Sequence, residues 1–71
     1  MKAVEVYIIG LIVCVRLDDK RVIQAPFDFF PRLIDKEAWA FTPRISSDGK
    51  KIVWEDIDEQ IYVKDLLIWN D

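Results

Sequence analysis

The chain has 71 residues, 52% of them hydrophobic, and its formal net charge at pH 7 is −3. A chain of this length forms one small domain and buries only about 60% of the surface that its unfolded form exposes. Because histidine is absent and cysteine occurs once, histidine-dependent catalysis, zinc sites that need histidine and an internal disulfide are excluded. The lack of disulfides fits a reducing, cytoplasmic setting, and the acidic balance argues against direct nucleic-acid binding. The apolar run over residues 7–15 is shorter than the roughly 20 residues that cross a bilayer, so we expect no membrane association.

The first third of the chain predicts a three-stranded antiparallel meander. Gly10 and the polar residues 18–20 are expected to form its two turns. The strands are expected over Ala3–Ile9, Leu11–Leu17 and Arg21–Ala25. In the first strand, the alternation of apolar and polar residues places on one face Val4, Val6 and Ile8.

The middle of the chain predicts short helical segments. Phe27–Ile34 is expected to be a helix in which Asp28 is the N-cap and Pro31 lies in the first turn. Its apolar residues, at positions 29, 30, 33 and 34, are expected to face the sheet. Asp35 is expected to cap a second helical turn over Lys36–Ala40.

The last third predicts a second group of strands and a final helical turn. Strands are expected over Arg44–Ser46, Ile52–Trp54 and Ile61–Val63, and the helical turn over Val63–Trp69. The fold class is therefore α+β, as a single compact domain over residues 1–71 with a small antiparallel sheet. Three tryptophans, four phenylalanines and two tyrosines indicate either an unusually aromatic core or an apolar surface covered by another chain. We therefore expect a homo-oligomer, most simply a dimer, or a partner protein.

Four acidic residues lie between two of the predicted strands, namely Glu55, Asp56, Asp58 and Glu59. They could ligate a hard cation, but the stretch lacks the glycine and the alternating oxygen donors of a calcium loop. They could also act as acid and base, but no nucleophile or phosphate-binding loop accompanies them. We predict no metal site, no cofactor and no catalytic residue, and we interpret the stretch as a solvated turn with Ile57 pointing inward. Such a turn can also attract a basic partner.

Two further residues are candidate contacts for a partner. Trp54 precedes the acidic turn and would anchor a partner if it were exposed, whereas its alternation with Ile52 places it in the core. Arg32 could bind a carboxylate or a phosphate of a partner, or pair with an acid of its own domain. The predicted partner-binding set is therefore Arg32, Trp54, Glu55, Asp56, Asp58 and Glu59.

An ordered set of residues resembles the bacterial and phage family of domains of unknown function numbered 2442. The set comprises Phe30–Leu33, Gly49, the stretch Ile52–Val63, and Leu66 with Leu67. The resemblance covers nearly the whole chain and implies a compact α+β domain with an antiparallel sheet. It also implies an antitoxin-like role, since such families are found beside a gene for another small protein. The chain departs from the family at Val53, where histidine is common.

Three functions are compatible with these patterns. The preferred one is a non-enzymatic binding protein, an antitoxin-like or accessory factor that docks on a basic partner protein such as one encoded nearby. The alternative is a dimeric module that binds or sequesters a nucleotide-like ligand, with Arg32, Lys51 and Trp54 as its polar and stacking groups. An enzyme is the weakest, because it would need converging carboxylates in a deep cleft.

Overall fold

The chain folds into two small antiparallel sheets and two short helices. The computed structural model describes the backbone of residues 1–69 and the side chains of residues 1–67. Its regular elements are β1 (Ala3–Ile9), β2 (Ile12–Leu17), β3 (Val22–Pro26), α1 (Pro31–Asp35), β4 (Arg44–Ile45), β5 (Lys51–Trp54), β6 (Glu59–Tyr62) and α2 (Val63–Trp69). Short 3-10 turns occupy Phe27–Phe29, Ala38–Ala40 and Glu55–Ile57. Strands β1-β2-β3 form one sheet and β4-β5-β6 the other, so the predicted α+β class is confirmed.

One hydrophobic cluster joins the two sheets and both helices. Phe27 lies within it, with its ring centroid 6.2 Å from that of Trp54 and 6.1 Å from that of Trp39, both in edge-to-face orientation. The meander and the segment after it supply Val13, Val15, Leu17, Ile23, Ala25 and Phe27. The rest of the chain supplies Leu33, Ala38, Ile52, Trp54, Ile61, Val63 and Leu66. Two aromatic residues, Phe27 and Trp54, are therefore core, whereas five others are exposed, namely Tyr7, Phe29, Trp39, Phe41 and Tyr62.

The three-stranded meander forms, with small shifts in strand bounds and one local correction in β1. β2 begins at Ile12 instead of Leu11, and β3 spans Val22–Pro26 instead of residues 21–25. The pairing of β1 with β2 shifts by one residue between Ala3 and Glu5, as at a β-bulge. The shift turns Ala3 into the core and leaves Val4 outside, 54% exposed, so the prediction that Val4 shares a face with Val6 and Ile8 is wrong. Val6 and Ile8, beyond the bulge, pack against the core as expected.

The helical middle differs from the prediction in its boundaries. Phe27–Ile34 is divided into a 3-10 turn and α1, because Phe30 between them is not helical (φ −130°, ψ 81°). Pro31 opens α1 as predicted, but Asp28 lies in the preceding 3-10 turn and caps no helix. The predicted cap Asp35 is the last residue of α1, and the second turn begins only after Glu37.

The second sheet is tied to the first through a tight turn. The N–H of Ala3 donates to the carbonyl of Gly49 at 2.8 Å, beside the turn that joins β4 to β5. Gly49 has φ +72°, and an added Cβ would lie 2.8 Å from the Cβ of Lys2, so only glycine fits without displacement. β6 ends one residue earlier than predicted, since Val63 begins α2, and the predicted Val63–Trp69 helix is confirmed.

Candidate functional site

The acidic residues lie around the connection between β5 and β6. In the register of this hairpin Trp54 pairs with Glu59, and Glu55–Ile57 form a 3-10 turn between them. Asp58 follows in the left-handed conformation, with φ 54°, which aspartate tolerates better than most residues. Glu55, Asp56 and Asp58 are exposed, whereas Ile57 is half-buried against the core. The predicted inward position of Ile57 is therefore confirmed.

Glu59 is a buried carboxylate and does not belong to the solvated turn. It opens β6 and is only 7% exposed. Its Oε2 lies 2.8 Å from Nζ of Lys36 and 2.9 Å from Nη2 of Arg32. These contacts are ion pairs by distance, but neither has the alignment of a hydrogen bond. Contact with Lys36 and the charge of Arg32 lower the pKa of Glu59, and they outweigh the opposing effect of burial.

A second ion pair holds the start of the turn. Nε of Arg44 donates to Oε1 of Glu55 at 2.7 Å, and this hydrogen bond lowers the pKa of Glu55. Arg44 and Lys36 were not among the residues that the sequence singled out. Arg44 pairs with Val53 across β4 and β5, which makes it a diagonal neighbour of Glu55. Only the register of two short strands brings the arginine and the glutamate together.

Trp54 belongs to the core. Its side chain is 0% exposed and lies beneath the turn. It therefore cannot serve as an exposed anchor or stack on a ligand, and the interpretation of Trp54 as a core residue is confirmed. Its Nε1 is buried and has no hydrogen-bond partner among the residues that the structure describes.

The site as a whole is an open polar depression of about 650 Å³. It is lined by Arg32, Arg44, Val53, Trp54, Glu55, Asp58, Glu59, Gln60 and Tyr62. All the predicted partner-binding residues except Asp56 thus surround one feature. Arg32 projects over it with 79% of its side chain exposed, although its guanidinium contacts the buried Glu59.

Both basic and acidic side chains line the depression. Within residues 1–67, no group of three histidine, cysteine, aspartate or glutamate side chains is placed to hold a metal ion.

The one thiol, Cys14, is buried in β2, where burial raises its pKa and a hydrogen bond with Gln24 lowers it by less. A thiol in this state is a packing residue rather than a nucleophile.

Comparisons of the chain with family models, with curated proteins and with solved structures find no match. The resemblance of residues 30–33 and 52–63 to the 2442 family stays a prediction that these comparisons do not test. None of the helices in the described part of the chain is long and apolar enough to span a bilayer.

Proposed function

We propose that this chain is a non-enzymatic binding protein that docks on a basic partner protein through the face around the depression. We call this surface the docking face and define it by its exposed charged residues, Arg32, Arg44, Glu55, Asp56 and Asp58. The observation that carries the proposal is the turn itself, which presents three exposed carboxylates from one rigid support.

The support of the turn is fixed by contacts within the domain. Arg44 holds Glu55, and Nζ of Lys36 donates to the carbonyl of Ile57 at 3.0 Å while it contacts Glu59. Such preorganisation lowers the entropy cost of ordering an interface on binding. A partner would therefore meet a turn that needs little rearrangement.

Two carboxylates of the turn are free to attract a cation. Asp56 and Asp58 take part in no ion pair with other residues in the described part of the chain. Unpaired surface carboxylates raise the rate at which a positively charged surface associates. This favours a basic partner, and the resemblance to the 2442 family points to a small protein encoded beside this one, in an antitoxin-like arrangement in the cytoplasm.

The test is coexpression with the product of the adjacent small gene, followed by affinity purification and titration calorimetry. We expect a complex that the double substitution Asp56→Lys with Asp58→Lys weakens at least tenfold. The control, Asp18→Lys with Asp28→Lys, changes the net charge equally at two exposed positions outside the docking face, and we expect it to change affinity less than threefold. Absence of a complex, or equal loss in both variants, would refute the proposal.

We also propose that two copies pair along β1 to form a homodimer. β1 is an edge strand, and among the described residues its outer edge makes one backbone hydrogen bond, from Ala3 to Gly49. Val6, Tyr7 and Ile8 line a groove of about 340 Å³ together with residues 39–43. Since successive strand residues point to opposite faces, a groove lined by all three follows the edge. An apolar edge without lysine or proline is open to strand pairing.

The charges of β1 suit pairing with its own copy. Glu5 is the one charged residue of β1, and it already contacts Arg16 at 3.1 Å. In an antiparallel pair centred on Tyr7, the two Glu5 residues would be separated by about 13 Å along the strand, beyond the screening length of roughly 8 Å. Tyr7→Lys would instead place two ammonium groups face to face.

Light scattering after gel filtration tests the dimer. We expect the wild-type chain to run as a dimer, Tyr7→Lys as a monomer, and Gln24→Lys, at an exposed position of β3, as a dimer. A wild-type monomer at 100 µM would contradict the proposal.

A further inference from the structure

The cations of this chain fall into two groups. All four arginines and Lys36 contact a carboxylate. Within the described residues the other lysines contact none, and three of these, Lys50, Lys51 and Lys64, line a single cavity at the end of the β5–β6 hairpin away from the acidic turn. Within the described residues, an acidic chain thus carries a local cluster of lysines that form no ion pair.

The three lysines are held around an exposed aromatic ring. Lys51 pairs with Tyr62 across the hairpin, and Lys64 lies two residues further along at the start of α2. Their Nζ atoms lie 5.8 Å and 5.4 Å from the centroid of the Tyr62 ring. The N–H of Val63 donates to the carbonyl of Lys50 at 2.9 Å, which fixes the backbone of the third lysine at the edge of the same cavity. Cation–π contacts orient ammonium groups but leave their charge uncompensated.

The one carboxylate that lines the cavity is already engaged. Oδ1 of Asp48 accepts hydrogen bonds from the hydroxyl of Ser46 at 2.6 Å and from the backbone N–H of Lys50 at 3.0 Å. These bonds close the turn between β4 and β5, and they keep the carboxylate oriented toward its own backbone. The carboxylate keeps its charge, which acts on Lys50 and Lys51, but the three lysines outnumber it, so the lining has a net positive charge that an external anion can meet.

The cavity also has an apolar wall. Its volume is about 500 Å³, within the range of roughly 300–1,000 Å³ typical of small-molecule sites. Val63, Leu67 and the Tyr62 ring line it together with the lysines. An inorganic anion would leave this wall unused, whereas a ligand with a flat apolar part and an anionic part would contact both.

We propose that this lysine cavity binds a nucleoside phosphate, with the base against Tyr62 and Leu67 and the phosphates between Lys50, Lys51 and Lys64. Tyrosine rings stack on bases with little preference for sequence, and lysines bind phosphate as point charges. The net charge of −3 opposes the long-range attraction of a polyanion, which favours a free mononucleotide over a nucleic-acid strand. The lysine cavity shares Tyr62 with the depression beside the docking face, but none of the residues that define the docking face lines the cavity, and the proposal does not depend on the partner proposed for that face.

Four probes distinguish the parts of this proposal in titration calorimetry at low salt with the full chain. They are ADP, inorganic phosphate, adenosine and a ten-nucleotide single-stranded DNA. We expect ADP to bind at least tenfold more tightly than phosphate or adenosine. If phosphate bound as tightly as ADP, the role of the apolar wall would be refuted. If the DNA bound more tightly than ADP, the assignment to a free nucleotide would be wrong.

Substitutions locate the site. Lys64→Gln and Lys51→Gln are each expected to weaken ADP binding about fivefold, the effect of one exposed charge pair, and Tyr62→Leu by a similar factor. Lys20→Gln removes one unpaired lysine in the turn between β2 and β3 and should leave ADP affinity unchanged. Far-UV circular dichroism verifies that each variant is folded. The proposal is overturned if ADP does not bind, or if it binds equally to the Lys64 and Lys20 variants.

Discussion

The buried indole of Trp54 allows a quantitative test of what this residue does. Replacement by phenylalanine removes two carbons and Nε1 from the core, and the two carbons correspond to roughly 1.6 kcal/mol at about 0.8 kcal/mol per methylene equivalent. The same change removes Nε1–H, which is buried without a partner among the described residues. An unsatisfied buried donor costs about 1–3 kcal/mol. The two effects oppose each other, so Trp54→Phe should destabilise the chain by about 1 kcal/mol or less.

The result for alanine should be very different. Trp54→Ala removes the whole ring system and is expected to cost about 3–5 kcal/mol. A domain of 71 residues has about 4–11 kcal/mol of stability in total. Trp54→Ala should therefore be partly or fully unfolded, whereas Trp54→Phe should lose at most about 8 °C in Tm, given 4–8 °C per kcal/mol for domains of this size.

Urea unfolding followed by far-UV circular dichroism measures both variants, with Trp39→Phe as the control. Trp39 is half-exposed and contacts the same Phe27 ring, so its loss should cost less than 1 kcal/mol. A loss of 3 kcal/mol or more in Trp54→Phe would show that the indole N–H carries a stabilising interaction, and the assignment of Nε1 as unpartnered would be wrong.

Three further predictions concern the acid, the turns and the thiol. Because contact with Lys36 lowers the folded-state pKa of Glu59 from 4.5, the stabilisation from this ion pair is complete well above that pH and is lost as the pH falls through the lower folded value. The urea midpoints of wild type and Glu59→Gln should therefore differ at pH 7, and the difference should shrink as the pH falls below 4.5. Gly49→Ala should destabilise the chain more than Gly10→Ala in the same assay. Both glycines have positive φ, but only at Gly49 would the added Cβ meet another side chain, the Cβ of Lys2 at 2.8 Å. Cys14 should react with a thiol reagent only after unfolding, at least a hundredfold more slowly in the folded chain, and fast reaction under native conditions would contradict its burial.

The strands of the meander could be predicted because their pattern is local. Val13, Val15 and Leu17 alternate with less apolar neighbours, and all three are buried as expected. Val4 follows the same alternation yet points outward, because the register shift after Ala3 reverses its side. A bulge depends on how two strands pair, and the pattern of one strand does not contain that information.

The sequence predicted which acidic residues form the site, but not how they and their ion-pair partners are arranged. Four acids in five positions were interpreted as one solvated turn, since charge is the property they share. The left-handed Asp58 ends the turn, however, and Glu59 then falls on the same face of β6 as the buried Ile61. That spacing of two residues was a signal for burial of Glu59. Its partners Lys36 and Arg32 come from the helical region more than 20 residues earlier and could only be found from the tertiary structure.

The arginines form ion pairs and the three lysines of the cavity do not, and this gives the two ends of the β5–β6 hairpin different physical properties. Exposed ion pairs add only about 0–1 kcal/mol to stability, so the pairing of Arg16, Arg21 and Arg44 matters less for folding than for fixing side chains. At the acidic turn this produces a surface of defined shape, suited to another protein. At the other end Lys51 and Lys64 lie over the Tyr62 ring, and within the described residues they contact no carboxylate, which suits a small anion. β5 and β6 are four residues each, about 13 Å long, and the buried Ile52, Trp54 and Ile61 tie both ends to one core. The acidic turn and the lysine cavity thus lie at opposite ends of one hairpin, and Tyr62 lines both the depression and the cavity.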